Sequence, residues 1–579
     1  MDAGYHAGNA CKGLMVHLDT WVVVLFLGVS VLIVAGQVIA FRRLRPEGRT
    51  LVTRGRFRET SLPDDTPLHG WAWRPLWIRL ERLDAVSLTL LAVTALLFWI
   101  GRGDLPPLPP DNFYHMRVVQ GIFAIHAIPY WDSWSYAPLG RPHLYPPLYH
   151  LLIAAGAWWN RGDIVAGFQS VQALALPFVY GVTWYFARWL FDARRALLAL
   201  LLIGWDVGFI ILSYMSTPSA LAAALAMLMV VAFLSRHMVL ASLFGALAFY
   251  THMGSPVTIL AGLVVFCVWK RVSPVRWVLL VALILLMIAP WYGRVWAFRE
   301  WFNHPIDSGV YGQFSPAMRA LLKLTWLQCI NIGIVLACIR VARFTRWRNA
   351  DNALLLCLIL AGLPSLISYG GRFLGTALPF MAMVAAGLFV ALLQSPVTMR
   401  RMAACVCLAL SPTVLLMGTG TRMPPGPVPV SSGWFAPVAT ASGLLARLDH
   451  GEAVGQSPHS AAKLVTGYIE GLGAPQGTVY CNQDRDMALL VGFALNCPTD
   501  SGAWEETRPK SSELGLLERY SRIDPNGIYV GPRKGVMPHG ATVEKVGEHF
   551  VGRWTSPPPK GPEAAARYRV PEELRSRQR

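Results

Sequence analysis

The chain has 579 residues, 54% hydrophobic and only 15% charged, with a formal net charge of +18 and a mean hydropathy of +0.42. Soluble domains carry roughly 25% charged residues, and apolar runs of about 20 residues recur through most of this chain, so a soluble globular enzyme is excluded. The basic residues cluster in short loops between the apolar runs, a distribution that points to membrane topology and away from nucleic-acid binding.

Taken in chain order, the first apolar run covers residues 21–41. It is long enough to span, lacks a strongly basic lead and is followed by arginines, so it reads as a span and not as a signal peptide. Residues 42–82 carry ten arginines, from Arg42 to Arg82, which places this loop in the cytoplasm and the N-terminus outside. A second span at 86–101 then leads into an external loop, 102–162. Within it, the apolar piece 145–159 is short and opens with Pro146 and Pro147, so it is expected to lie on the outer surface as a helix. Further spans are predicted at 166–187, 196–213, 218–235, 238–251, 256–270, 276–291, 321–340, 352–368, 373–394 and 402–418. The turns on one side hold Arg188, Arg194 and Arg195, then Arg236, then Lys270, Arg271 and Arg276, then Arg340 to Arg348, then Arg400 and Arg401. That regularity gives about twelve spans.

The other side then holds the loop 102–162, the short turn 213–219, the loop 292–320 and everything after 419. The tail opens with a Pro/Gly-rich linker. Strands are predicted in Gly477-Thr-Val-Tyr-Cys and in Gly527-Ile-Tyr-Val-Gly. A helix is predicted over 457–469, with Ser457 as N-cap and Pro458 at the first helical position. These elements make a small α/β domain, 419–555, followed by a Pro-rich and charged tail, 556–579, expected to be disordered. The nine cysteines contain no Cys-x-x-Cys pair and no zinc pattern. Cys481 and Cys497 are the two that an oxidising compartment could join.

The chemistry is concentrated in the external loop. Residues 111–150 hold two carboxylates, four histidines and many aromatic residues, more than a plain connection needs. Asp111, Tyr114, His115, Arg117, Trp131, Asp132, Ser135, Pro146, Pro147 and Leu148 form a pattern of Asp-x-Phe-Tyr-His-x-Arg, then Trp-Asp-x-x-Ser, then Pro-Pro-Leu. It resembles the catalytic loop of the oligosaccharyltransferase branch of the GT-C glycosyltransferases. Gly371, Arg372 and Phe373, followed by Ala377 to Phe380, are similar to an arginine-containing span of the same family. The resemblance covers about 86–418 and leaves 1–85, with its extra span and basic loop, outside it. Two family features are missing: the turn 213–219 (SYMSTPS) has no carboxylate where the family has Asp-x-Asp, and the C-terminal Trp-Trp-Asp-Tyr-Gly signature is absent.

The resemblance implies a polytopic α-helical membrane protein of GT-C type with a small C-terminal extracytoplasmic domain. It also implies a glycosyltransferase using a polyprenyl-phosphate or polyprenyl-pyrophosphate sugar donor. The acceptor would be a protein or glycan, and the expected location is a bacterial or archaeal plasma membrane. In that setting Asp111 is the candidate base, or an orienting group for the acceptor; its plainer reading is a helix cap after Pro109-Pro110. A divalent metal, Mg or Mn, would take Asp111 as a ligand, and the missing second motif removes the usual further carboxylate. Candidates for a second acid are Asp132, whose plainer reading is a cap for a helix starting near Ser133, Glu300 and Asp307. His115, four residues after Asp111, shares its helical face. Arg372, at the outer end of a span beside two glycines, and Arg117 are the candidates for the donor phosphate. The same sequence would also suit a transporter or flippase of lipid-linked saccharides, or a catalytically silent scaffold of the same fold.

Overall fold

The computed structural model describes residues 75–104, 111–132, 134, 141–204, 209, 213, 217–299, 350–362, 374–394, 398, 416–417, 426–427, 458–473, 478–481, 485–499, 527–531, 541–547 and 549–554. The expected spans at 21–41 and 321–340 and the tail 556–579 lie outside the described residues, as does 402–418 apart from Leu416 and Met417, which pair as a strand and so do not continue the predicted span.

In chain order the helices are α1 (Arg82–Ile100), α2 (Asp111–Ile125), α3 (Leu148–Trp159), α4 (Ile164–Leu190), α5 (Ala193–Gly204), α6 (Thr217–Leu234), α7 (Met238–Thr251), α8 (Gly254–Trp269), α9 (Pro274–Ala297), α10 (Ala350–Gly362), α11 (Leu374–Leu393), α12 (Pro458–Gly471) and α13 (Arg485–Ala494). The strands are β1 (Trp131–Asp132), β2 (Arg141–Pro142), β3 (Leu416–Met417), β4 (Gly426–Pro427), β5 (Val479–Tyr480), β6 (Ile528–Gly531), β7 (Ala541–Val546) and β8 (His549–Trp554). A helix therefore stands on the described residues of each predicted span except 402–418. Four of them are long and apolar enough to cross a membrane by length and composition: Arg82–Gly103, Ile164–Leu190, Thr217–Leu234 and Pro274–Ala297. The apolar piece after Pro146-Pro147 is the 12-residue helix α3, too short to span.

The chain forms two compact units. The first comprises Met1–Arg102, Gln172–Ile288 and Pro316–Leu444. Its centre is α6, which is apolar on all sides and 83% buried over its 18-residue window, as expected of a helix surrounded by others. Around it α7 and α8 pack on α6, α10 packs on α8, and α11 packs on α5 and α10. By contrast, only 17% of the corresponding window of α1 is buried, and Leu88, Leu96 and Ile100 stand exposed on it, an apolar face suited to lipid. The start of α1 is held by charge. Glu81 and Asp84 form a capping box, and the backbone N–H of Glu81 donates to Asp84 at 2.7 Å. Nε of Arg188, near the end of α4, donates to both Asp84 oxygens at 3.0 Å, and Nη2 meets Glu81 at 3.0 Å. Asp84 is fully buried, so it needs this partner.

The second unit comprises Gly103–Val171, Ala289–Ser315 and Leu445–Arg579. It contains a four-stranded sheet in the order β5-β6-β8-β7, with β5 and β6 parallel and the other pairs antiparallel. β5 and β6 fall on the two Gly-bordered segments predicted as strands, and α12 starts at Pro458 as predicted from its N-cap pattern. Tyr480 and Tyr529, paired in register, stack at 5.0 Å between ring centroids. Helices α12 and α13 pack together, and α13 packs on β5. Val465, Ile469, Val491 and Val551 are buried there. Cys481 and Cys497 are buried and the disulfide considered between them is not formed; burial pushes the Cys497 thiol up to about 11.

Candidate active site

The site begins with α2, which opens at Asp111, straight after Pro109-Pro110. Each residue from Asn112 to Val119 is buried, polar ones included. A helix buried on all faces must satisfy its polar side chains internally, and α2 does so with partners distant in sequence.

The first partners are rings. His115 Nδ1 lies 2.9 Å from His150 Nε2 on α3, and the Tyr114 hydroxyl lies 3.0 Å from His143 Nδ1, just after β2. Tyr145 packs edge-on to His115 at 4.8 Å and Tyr149 at 5.0 Å. His143 and His150 stand 5.4 Å apart, and Trp291 closes on His143 at 5.9 Å. His143 and His150 are each 1% exposed. Burial, reinforced by neighbouring His143, holds His150 well below the ordinary histidine pKa and therefore neutral. Packing of α3 on α2 maintains this geometry.

The second partners come from the tail. Arg117, 8% exposed, donates to Gln120 Oε1 at 2.6 Å and to Asn496 Oδ1. Gln120 in turn donates to the carbonyl of Phe493 at 3.2 Å, and Phe113 meets Phe493 edge-on at 5.6 Å. Asn496 follows α13 with φ +49°, the left-handed conformation that asparagine tolerates at helix ends. Burial lowers the Arg117 pKa from its usual value, while Cys497 and Asp132 act through space in the opposite direction. Both acceptors bonded to Arg117 are neutral amides.

Asp132 is fully buried and sits in β1, opposite Arg141 in the β1–β2 pair. It is thus a strand residue and not a helix cap. The hairpin is held to neighbouring segments through Tyr130, whose carbonyl accepts from the His143 N–H at 3.1 Å and from the Arg294 guanidinium. Arg294 also lies over the Tyr130 ring at 4.2 Å. Between the two strands, the Trp134 carbonyl accepts from the Thr499 N–H at 2.9 Å. The Trp134 ring lies on Gly121 of α2, where a Cβ would be only 2.3 Å from it.

The structure thus brings His115, Arg117 and Asp132 into one unit with the start of α2 at Asp111. The side chain of Asp111, and Glu300, Asp307, Arg372 and Asp206, lie outside the described residues. Three contributors escaped the sequence reading: His143, His150 and Asn496. The two histidines were visible in the loop's histidine count, but nothing local marks which rings meet; Asn496 carries no motif.

In the first unit, the turn without a carboxylate leads into neutral hydroxyl contacts. Thr217 donates to Gln172 at 2.5 Å, Ser219 and Ser255 are 2.6 Å apart, and Thr376 donates to Ser255 at 3.3 Å. Ser219, Ser255 and Thr376 lie in the first turns of α6, α8 and α11 and are buried. His252 ends α7, and its Nδ1 accepts from the Gly254 N–H at 3.1 Å, a packing role. Among the described residues no group of three or more His, Cys, Asp or Glu is placed to hold a metal ion.

No protein-family model and no curated protein matches the chain. Solved structures do. ArnT from Cupriavidus metallidurans bound to undecaprenyl phosphate superposes with a TM-score of 0.56 at 15% identity, covering 82% of this chain and 98% of ArnT. The apo state of the same protein gives 0.54 at 13% identity, with the same coverage. The archaeal oligosaccharyltransferase AglB from Archaeoglobus fulgidus, in complex with an inhibitory peptide and a dolichol-phosphate, matches at 0.48 and 13% identity over 78% of this chain and 69% of AglB. The chain thus shares the fold of ArnT.

Proposed function

We propose that this protein is a GT-C glycosyltransferase. It moves a sugar or oligosaccharide from a polyprenyl-phosphate or polyprenyl-pyrophosphate donor to a protein or glycan acceptor on the extracytoplasmic face. The observation that carries the reading is Arg117: a buried guanidinium bonded to neutral amide oxygens, two turns into the helix that Asp111 begins. An arginine without a bonded carboxylate leaves positive potential in a low-dielectric place, which is what a leaving phosphate needs. A second support is the make-up of the second unit. It gathers parts of the loop 102–162, the loop 292–320 and the tail, the segments that loop charges assign to the outer side.

In this scheme Asp111 activates or orients the acceptor, and Arg117 and Arg372 neutralise the donor phosphate. His115, Asp132, Glu300 and Asp307 are the groups available to support Asp111. A divalent metal would be held by Asp111, with Asp132, Glu300 or Asp307 as the candidate second carboxylate. The domain organisation is 1–85, 86–418 with about twelve spans in all, the external domain 419–555, and the tail 556–579, set in a bacterial or archaeal plasma membrane.

The test is transfer of label from a polyprenyl-phosphate sugar to envelope material by the purified protein in proteoliposomes. The wild type transfers label; Asp111→Ala and Arg372→Ala lose it. Undiminished transfer by both variants would remove the site, and equal lipid movement without transfer would favour a flippase.

A further inference from the structure

We infer that His150 is a positioning residue that keeps His115 neutral, with its ring proton on Nε2, one helical turn after Asp111. The inference rests on the reading of α2 as the start of the catalytic loop.

The argument follows from two nitrogen atoms. His115 Nδ1 and His150 Nε2 share one hydrogen bond of 2.9 Å, so one of them carries the proton. His150 Nδ1 is buried with no hydrogen-bond partner among the described residues. A neutral histidine has a single ring N–H. If that proton sat on His150 Nδ1, a buried donor would go unpaired and Nε2 would accept. If it sits on Nε2, only a lone pair is unmet and the proton is bonded. Leaving a buried donor unsatisfied is the costlier arrangement, so His150 donates from Nε2 and His115 Nδ1 accepts. His115 then has its own proton on Nε2. Protonating His115 at Nδ1 would force His150 to shift its proton to the orphaned position or to become a buried cation. Burial holds His150 neutral, which closes the second route.

The groups around the pair do not upset this assignment. Tyr114 and Arg117 lie on α2, His143 and Tyr145 come from the segment before α3, and Tyr149 lies on α3. His143 adds to the pressure against a charged His150, which opposes a further proton on the pair. The chemical consequence is at Asp111. An imidazolium one turn away would stabilise the carboxylate and weaken it as a base; a neutral ring leaves its basicity intact.

The experiment uses the full chain in lipid nanodiscs, with ¹⁵N-labelled histidine and with transfer followed from about pH 5.5 to about 7.5, a range bracketing the free histidine pKa. Signals of His115 are identified by their loss in His115→Asn. In the wild type, Nδ1 of His115 reads as unprotonated and Nε2 as protonated throughout the range. His150→Gln, whose amide N–H replaces the donor, preserves this and the wild-type pH profile. His150→Leu removes the donor, so protonation of His115 at Nδ1 is no longer blocked and transfer at about pH 5.5 falls roughly tenfold relative to about pH 7.5. A wild-type His115 protonated at Nδ1, or a His150→Leu profile that superposes on the wild type, overturns the inference. The ring-nitrogen signals of the wild type decide the matter even if His150→Leu fails to fold. They also decide it if no transfer is seen, an outcome that counts against the glycosyltransferase reading alone.

Discussion

Arg188 in the first unit and Arg117 in the second are both withdrawn from water, yet their charges are treated differently. Arg188 meets a fully buried carboxylate with Nε, at 3.0 Å to each oxygen, and a second carboxylate and a carbonyl with Nη2. Arg117 has two amide oxygens. The first arrangement cancels charge and ties the start of α1 to the end of α4. The second fixes a geometry and leaves the charge standing. Burial alone therefore does not separate a structural arginine from one suited to an anion; the identity of the acceptor does.

Removing Arg188 is the severest way to probe that difference. Arg188→Met strands Asp84 and is expected to lower unfolding stability by about 3–5 kcal/mol, while the double variant with Asp84→Leu recovers most of it; thermal unfolding in detergent measures both. Arg117→Met leaves its two amide acceptors unpaired and removes the through-space partner of buried Asp132; its stability loss is expected at about 1–3 kcal/mol, with transfer reduced roughly 100-fold or more. Equal losses of stability in the two variants would erase the distinction.

Gly121→Ala acts on the second unit without touching charge. The new methyl meets the Trp134 ring, and overpacking of this kind costs about 1–3 kcal/mol, visible as a lower unfolding midpoint. The pH response separates the units further. His150 has a lowered pKa in the folded state, so its stabilising contribution is complete above about pH 6.5 and is lost as pH falls towards the folded value. The loss reaches at most about 1.4 kcal/mol per pH unit and should vanish in His150→Gln. The hydroxyl contacts of the first unit have no such slope: Ser255→Ala should cost about 1 kcal/mol at every pH.

Local pattern made much of this legible. Pro146-Pro147 marked the start of α3, Ser457-Pro458 marked α12, and glycine-bordered alternation marked β5 and β6. Apolar runs located the helices from α4 to α9, because span length is set by the bilayer and shows in a window of that size. The candidate site was marked only at one end. Asp111, His115 and Arg117 stood out through the resemblance of their motif to a known catalytic loop. Their partners did not, since His150 is 35 residues from His115 and Asn496 is 379 residues from Arg117. Periodicity carries no information over such distances. Asp132 looked like a helix cap because Trp-Asp-Ser suits one; pairing with Arg141 across β1–β2 prevailed.

The bond from Arg117 to Asn496 also sets a schedule. At synthesis rates of about 5–20 residues per second, the asparagine follows its arginine after roughly 20–75 seconds. Throughout that interval α2 has left the ribosome and lacks its last neighbour, so the helix that begins at Asp111 is among the last parts of the chain to be completed. A nascent chain halted before α13 would expose the Arg117 charge on an unfinished surface.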